Sequence, residues 1–294
     1  MRSRRLEQRI LETRDQFTES EALIGEALMQ NVSPVIFGSA NVLARQIGVS
    51  EATLVRFART IGYESYSHQQ RDLQDEIQEM LNQTTTSRLQ HAMEYPHDTP
   101  MATLVKSFKL DMENLQHTLD LMDAEAFNKA VSHLARAKKI YVVGFRASSG
   151  VASHMSYLLN LVHDDVHEIT IGTEVSIDRL FSLGEEDAVV VIAMSRPTAR
   201  VLELVSFAGE RNAFVVLITD ALKSAIVDRA DVTIRVDSTS CGHVQSYTAV
   251  TAVCSAVAYA LALTAKDSAG KRLELAENLL LRFHVWADGA ARGK

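Results

Sequence analysis

Between residues 40 and 59 the apolar side chains Leu43, Ile47, Val49, Leu54 and Phe57 fall at helical spacing on either side of Gly48. Leu43 and Ile47 lie one turn apart on the inner face of a first helix. Gly48 ends it, because a residue without Cβ enters the left-handed turn conformation at little cost. Ser50 then caps a second helix, whose Leu54 and Phe57 face back onto the first, and the small Ala44 stands where the two cross. The pattern predicts a helix-turn-helix. Any helical hairpin can show such spacing; the outer face of the second helix is what favours a DNA reader. Ser50, Glu51, Thr53, Arg56 and Arg59 are polar or charged there. A recognition helix presents its N-terminal residues to base edges, arginine pairs with guanine, and hydroxyls contact bases or phosphates. Glu51 has two readings, an acceptor for cytosine or a favourable charge at the positive end of its own helix.

The rest of the first third is also helical in pattern. Thr18 and Glu21 form a capping box for a helix running to about Gln30, Pro34 falls in the connection after it, and Ser39 caps the helix holding Leu43. Gly62–Ser67 reads as a turn whose Tyr63 and Tyr66 pack the small core, followed by a helix over 68–81. The breaker-rich pieces 84–87 and 95–100 bracket a boundary, and a long helix from about Met101 to Leu121 leads onward.

The period then changes. Runs 139–144, 166–171, 188–194, 214–219 and 231–236 are rich in β-branched residues, and most are nearly continuous apolar, as strands buried on both faces must be. Helical stretches near 150–161, 175–181, 198–211 and 224–227 alternate with them, and helices over 245–265 and 270–283 close the chain. The expected architecture is an all-α helix-turn-helix domain (1–82), a linker and connecting helix (83–122), and a three-layer α/β domain (123–294). Its five-stranded parallel sheet is expected in flavodoxin-like order.

Composition narrows the function classes. The 294 residues allow two cores, and the net charge of −7 excludes a global basic field. Between Phe37 and Arg71, four arginines against Glu51 and Glu64 leave a local balance of +2. So weak an excess favours pairing of subunits on a two-fold DNA site. Cys241 and Cys254 have neither metal spacing nor a disulfide framework and read as small buried hydrophobes. The arginines at positions 2, 4 and 5 precede glutamates rather than an apolar run, so no signal peptide is expected. The apolar stretch Ala249–Ala265 is too short and polar to span a membrane, and the cytoplasm is the expected compartment.

Candidate chemistry gathers at the expected carboxyl ends of strands, where parallel sheets place ligands. Arg146, Ser148 and Ser149 precede a helix after the first strand, where free amides and the helix dipole favour an anion. Ser195 and Thr198 follow the third strand, and Ser240 and Gln245 follow the fifth. Taken singly each hydroxyl is explained as a helix cap; jointly they point to a polyol or phosphate-bearing ligand.

The order of helix-turn-helix, linker and parallel α/β domain resembles the RpiR family of bacterial transcription regulators over nearly the whole chain. Residues 43–63, Leu-Ala-Arg-Gln-Ile-Gly-Val-Ser-Glu-Ala-Thr-Leu-Val-Arg-Phe-Ala-Arg-Thr-Ile-Gly-Tyr, are close to that family's DNA-binding signature. The resemblance implies a sugar isomerase (SIS) domain binding a phosphosugar, with Ser148 and Ser149 at the phosphate. The second loop departs: the family commonly carries Ser-x-Ser-Gly-x-Thr, whereas this chain has Ser195-Arg196-Pro197-Thr198. Pro197 removes an amide, and Arg196 or Arg200 stands where compensation is needed.

The expected partners are a double-stranded DNA operator and a small-molecule effector. No cofactor and no metal are expected. A sugar-phosphate isomerase is the rival class, with Glu174 and His243 as candidate bases, but neither belongs to an acid–base pair in the sequence. His163 and His167 would not share a face and make a poor metal site. SIS domains pair through helices, which implies a homodimer or homotetramer. Ala249–Ala265 reads equally well as such a contact or as a buried helix.

Overall fold

The computed structural model describes residues 3–30, 32–93, 99–171, 177–222 and 224–286. Contacts divide the chain into two compact units. One comprises Met1–Leu121 with Ala221–Lys223 and Val236–Ser246; the other comprises Met122–Asp220, Ser224–Arg235 and Tyr247–Lys294.

The first unit is helical: α1 (Arg4–Thr13), α2 (Glu19–Gln30), α3 (Ser33–Phe37), α4 (Ala40–Ile47), α5 (Glu51–Thr60), α6 (Tyr66–Leu81), α7 (Thr85–Met93) and α8 (Pro100–Asp120). The capping box forms as expected: the Thr18 amide donates to Glu21 Oε2 at 3.0 Å and the Glu21 amide to Thr18 Oγ1 at 3.4 Å. Pro34 lies in the first turn of α3 rather than in a connection, because a helix start loses nothing from its missing N–H. The threonine run at 84–87 likewise starts a helix: the Thr84 hydroxyl accepts the Ser87 amide at 3.1 Å, so it caps α7 instead of breaking the chain. Leu43, Leu54, Phe57, Ile61, Tyr63 and Tyr66 are buried in one core with Leu6, Ile24 and Leu73. Leu54 and Phe57 are fully buried, so truncating Phe57 to alanine costs about 3–5 kcal/mol.

The second unit opens with α9 (Ala124–Leu134) and then alternates β1 (Ile140–Val143), α10 (Ser148–Asn160), β2 (Val166–Ile169), a single 3-10 turn at Arg179–Ser182, β3 (Ala188–Ile192), α11 (Ala199–Glu210), β4 (Phe214–Thr219), β5 (Val232–Arg235), α12 (Thr248–Thr264) and α13 (Lys266–Arg282). The strands form one sheet in the order β2-β1-β3-β4-β5, and every pairing is parallel. The central strands β1 and β3 are buried along their length, which is why they read as unbroken apolar runs. Residues 224–230 form turns where a short helix was expected. α12 buries Val250, Val253, Cys254, Val257 and Leu261 within this unit and exposes Tyr259 and Leu263. Among the described residues no single helix is long and apolar enough to cross a membrane.

Candidate functional site

Gly48 adopts φ 82°, and its amide closes α4 on the Ala44 carbonyl at 3.0 Å. Ser50 caps α5 by accepting the Thr53 amide at 3.1 Å, and the two hydroxyls are 2.7 Å apart. Thr53 also accepts Arg56 Nη2 at 3.4 Å, so Ser50, Thr53 and Arg56 form one polar ladder up the first turns of α5. Ser50, Glu51, Arg56 and Arg59 are exposed and Thr53 is half-buried. Asn41 Nδ2 reaches Glu51 Oε2 at 3.5 Å, which ties the Glu51 carboxylate to α4. One supporting contact escaped the sequence reading. Glu21 accepts the Thr60 hydroxyl at 2.8 Å and so anchors the end of α5 to α2. Burial opposes its charge, yet the Thr18 and Thr60 bonds and the positive Arg56 hold the Glu21 carboxyl below its ordinary range. Tyr63 and Tyr66 are core residues, and burial pushes the Tyr66 phenol up to about 12.

In the second unit the chain leaves β1 and β3, adjacent strands, toward opposite edges of the sheet. Open parallel sheets seat ligands beyond the carboxyl ends at such a switch of direction, which makes this the candidate ligand crevice. At its β1 side, Gly144 lets α10 approach closely: a Cβ there would stand 2.7 Å from both Ala152 Cβ and Ser148 O. Arg146 is held at φ 56°, a left-handed conformation that a residue with a Cβ adopts at a cost. The Ser149 hydroxyl donates to the Arg146 carbonyl at 2.6 Å and so braces that turn. Among the described residues no side chain caps the N-terminus of α10.

At the β3 side, Ser195 is buried and its amide donates to Asp220 Oδ1 at 2.5 Å. Pro197 has no amide. Two positions of the β3 loop therefore offer no amide to an anion. Thr198 caps α11 by accepting the Val201 amide, while Arg196 and Arg200 are exposed. Two residues not foreseen close the arrangement. Asp220, at the end of β4, is 2% exposed. Tyr247 lies just before α12, with its hydroxyl 3.1 Å from Ser148 Oγ. Burial raises the Tyr247 phenol above its ordinary range; the Ser148 bond opposes the shift and the nearby Asp220 charge adds to it. The structure thus joins Ser148 to Tyr247 and Ser195 to Asp220. Their signals in the sequence were a lone acid ending an apolar strand and an aromatic residue opening an apolar helix.

Ser240 and Gln245 belong to the segment Val236–Ser246 of the first unit, where Ser240 Oγ accepts the Gly242 amide at 2.9 Å in a local turn. Cys241, expected to be buried, is only half-buried in that segment, whereas burial raises the Cys254 thiol to about 12. His163 is taken up by the Ala137 carbonyl at 2.9 Å and the Asp165 amide at 3.2 Å. His167 pairs with Asp165 at 2.8 Å and stacks on Tyr141. Both histidines serve local structure. His243 is exposed, and Glu174 lies outside the described residues.

Residues 4–80 match the helix-turn-helix domain of the rpiR family, and residues 133–263 match the SIS domain. An HTH-type transcriptional regulator of Caldanaerobacter subterraneus subsp. tengcongensis is 28% identical, covering 78% of this chain and 79% of its own. One from Haemophilus influenzae is 25% identical over 73% of each. Among solved structures, the sugar isomerase domain of an RpiR transcription factor from Sphaerobacter thermophilus is 25% identical, with a TM-score of 0.57 over 59% of this chain and 97% of that one. Vibrio vulnificus NanR complexed with ManNAc-6P has the same fold, with a TM-score of 0.54 over 95% of this chain and 98% of its own at 17% identity. With an rpiR-type reading head followed by a SIS domain, the chain belongs to the RpiR family of transcriptional regulators.

Proposed function

We propose that the protein is a cytoplasmic, DNA-binding regulator whose SIS domain senses a phosphosugar or related sugar derivative and alters operator binding. The observation that carries this reading is the presence in one chain of a capped, Gly48-turned reading helix and a parallel sheet whose direction switches between β1 and β3. In the first unit, Ser50, Glu51, Thr53, Arg56 and Arg59 contact the operator. In the second, the uncapped start of α10 takes the anionic group, with Ser148, Ser149 and Arg146 around it. The sugar hydroxyls fall toward Ser195, Thr198, Asp220 and Tyr247, where a buried carboxylate accepts from hydroxyls and would repel a phosphate. Ser240 and Gln245 are left out of this ligand set because they stand in the segment of the first unit.

Sensing needs affinity and a differential effect on two states, and nothing more. Reading helices on paired subunits must match major-groove faces about 34 Å apart, so a small reorientation of subunits on ligand binding changes operator affinity. The test is thermal unfolding of the full chain against phosphosugars and their unphosphorylated counterparts. A true effector raises the unfolding temperature by mass action and shifts operator binding in a gel assay. Stabilisation by the unphosphorylated sugars alone would remove the anion from the site. Measurable sugar interconversion by the wild-type chain would reinstate the isomerase.

A further inference from the structure

Helix α8 is solvated on its apolar side and docked on its polar side. Met101, Val105, Phe108, Met112, Leu115 and Leu119 recur at alternating steps of four and three residues, and all are exposed, from 37% at Leu115 to 68% at Leu119. Away from that stripe, Asn114 and Thr118 are buried. Asn114 Nδ2 donates to the Thr239 carbonyl at 2.8 Å, Thr118 Oγ1 accepts the Asp237 amide at 2.9 Å, and the Ser246 hydroxyl donates to Asp111. The polar face of α8 is thus spent on Val236–Ser246 within its own unit. A lone amphipathic helix would place its faces the other way round.

We propose that the stripe is the seam of a parallel two-stranded coiled coil with α8 of a second copy. An apolar period of 3.5 residues keeps one line of side chains facing an equivalent helix, whereas docking on a globular core follows the 3.6 period. Val105 falls at an a position and Leu115 at a d position, a placement that favours two strands. The six side chains, with Leu104 beside them, expose on the order of 700 Å² of side chain per helix, close to the roughly 800 Å² that each partner buries in a stable interface. Parallel pairing brings the N-terminal ends of both helices, and the chains arriving from both reading heads, to one end of the seam. The a and d assignment sets each seam residue against its own counterpart.

The test is the mass of the full 32.5 kDa chain by analytical ultracentrifugation, without DNA or ligand. The wild type is expected to form a dimer, or a larger assembly built on it. Phe108→Glu and Leu115→Glu are expected to weaken association by at least about tenfold. Circular dichroism should be unchanged, since neither side chain is buried in the monomer. Met112→Lys and Met112→Glu supply the orientation test. In a parallel pair each dissociates alone, because like charges meet across the seam, and an equimolar mixture reassociates. A monomeric wild type, undiminished association of both glutamate variants, or failure of the Met112 mixture to reassociate would overturn the proposal. None of these readouts involves operator or effector, so the regulatory reading stands or falls separately.

Discussion

His117 Nδ1 lies 3.2 Å from Asp237 Oδ2, and this pair ties α8 to the segment that follows β5, 120 residues away in the chain. Asp237 is 1% exposed. Its other oxygen accepts the Thr239 amide at 3.1 Å and the Thr239 hydroxyl at 2.7 Å. Burial alone would raise this carboxyl; the His117 bond and the two from Thr239 overcome it and bring it to about 2.

The first expectation concerns acid. A carboxyl whose folded value is depressed contributes stability that is complete above its unfolded value near 3.8 and is lost as pH falls toward about 2. The contribution is on the order of 2 kcal/mol. Replacing His117 by Ala leaves the charge buried without its strongest partner and destabilises the chain at neutral pH. As pH falls from about 3.8 through about 2 the carboxyl becomes protonated in both proteins, so the stability gap between wild type and His117→Ala should narrow over that window. Urea unfolding at a series of pH values reads this directly, and a gap independent of pH would show that His117 acts only by packing.

Arg56 gives the second. Its guanidinium is exposed and braced by Thr53 at 3.4 Å, two turns into the reading helix. Arg56→Ala should weaken operator binding by about 1–3 kcal/mol and relax preference at one base pair. Arg59→Ala, if it meets only phosphate, should weaken all duplexes alike and lower the salt slope by about one. Binding titrations on operator and scrambled duplex at two salt concentrations separate these outcomes. Equal loss on both sequences for Arg56→Ala would demote it to a backbone contact. Arg56 also helps hold the Glu21 carboxyl down, so its loss should free that acid to titrate at a higher pH.

The reading head was legible from the sequence because its constraints are local. Gly48, Ser50 and Ser39 act on residues three or four positions away, and Leu54 and Phe57 face a helix that ends before position 50. The sheet was legible because strands buried on both faces leave unbroken apolar runs. Strand ends were less so: the run 139–144 contains a strand paired only over Ile140–Val143. The candidate ligand site was legible in part. Ser148 and Ser195 announce themselves as hydroxyls beside helix starts, but their partners Tyr247 and Asp220 stand 99 and 25 residues on, and no period connects them. Ser240 and Gln245 could be read by residue type but not by placement, because where the chain after β5 packs is decided by His117, Asn114 and Thr118, residues of another helix. Threonines at 84–87 misled for a local reason, since a hydroxyl run both breaks and begins helices.

Two glycines should respond to alanine in different ways. At Gly48 a Cβ meets nothing within 4 Å, so Gly48→Ala pays only for its left-handed backbone, about 1–2 kcal/mol. At Gly144 the Cβ would press on Ala152 and on the Ser148 carbonyl at 2.7 Å, so α10 itself must shift. Gly144→Ala should therefore cost about 1–3 kcal/mol as overpacking and blunt the effector response as well. Operator binding by the reading head should survive it. Thermal unfolding together with effector titration distinguishes the two. A Gly144→Ala chain with an unaltered effector response would place the ligand away from the start of α10.

The crevice itself is tested through the bond between Ser148 and Tyr247. One of the two hydroxyls donates to the other at 3.1 Å, which leaves the donor's partner with a proton to offer a ligand. Tyr247→Phe keeps the ring and its packing while removing that network, and the buried Asp220 loses a neighbouring hydroxyl. If a sugar hydroxyl completes the network, Tyr247→Phe should weaken the effector by about 1–3 kcal/mol, the usual consequence of leaving a buried polar group unmatched. Ser148→Ala should show a similar loss, and the double variant should lose less than the sum, because both act on one hydrogen-bonded chain. Ligand-free unfolding of Tyr247→Phe should differ little from wild type, and operator binding without effector should not change. Isothermal titration of the two single variants and the double variant provides the cycle. Strict additivity would mean that Ser148 and Tyr247 contact the effector independently, with their mutual bond broken in the complex.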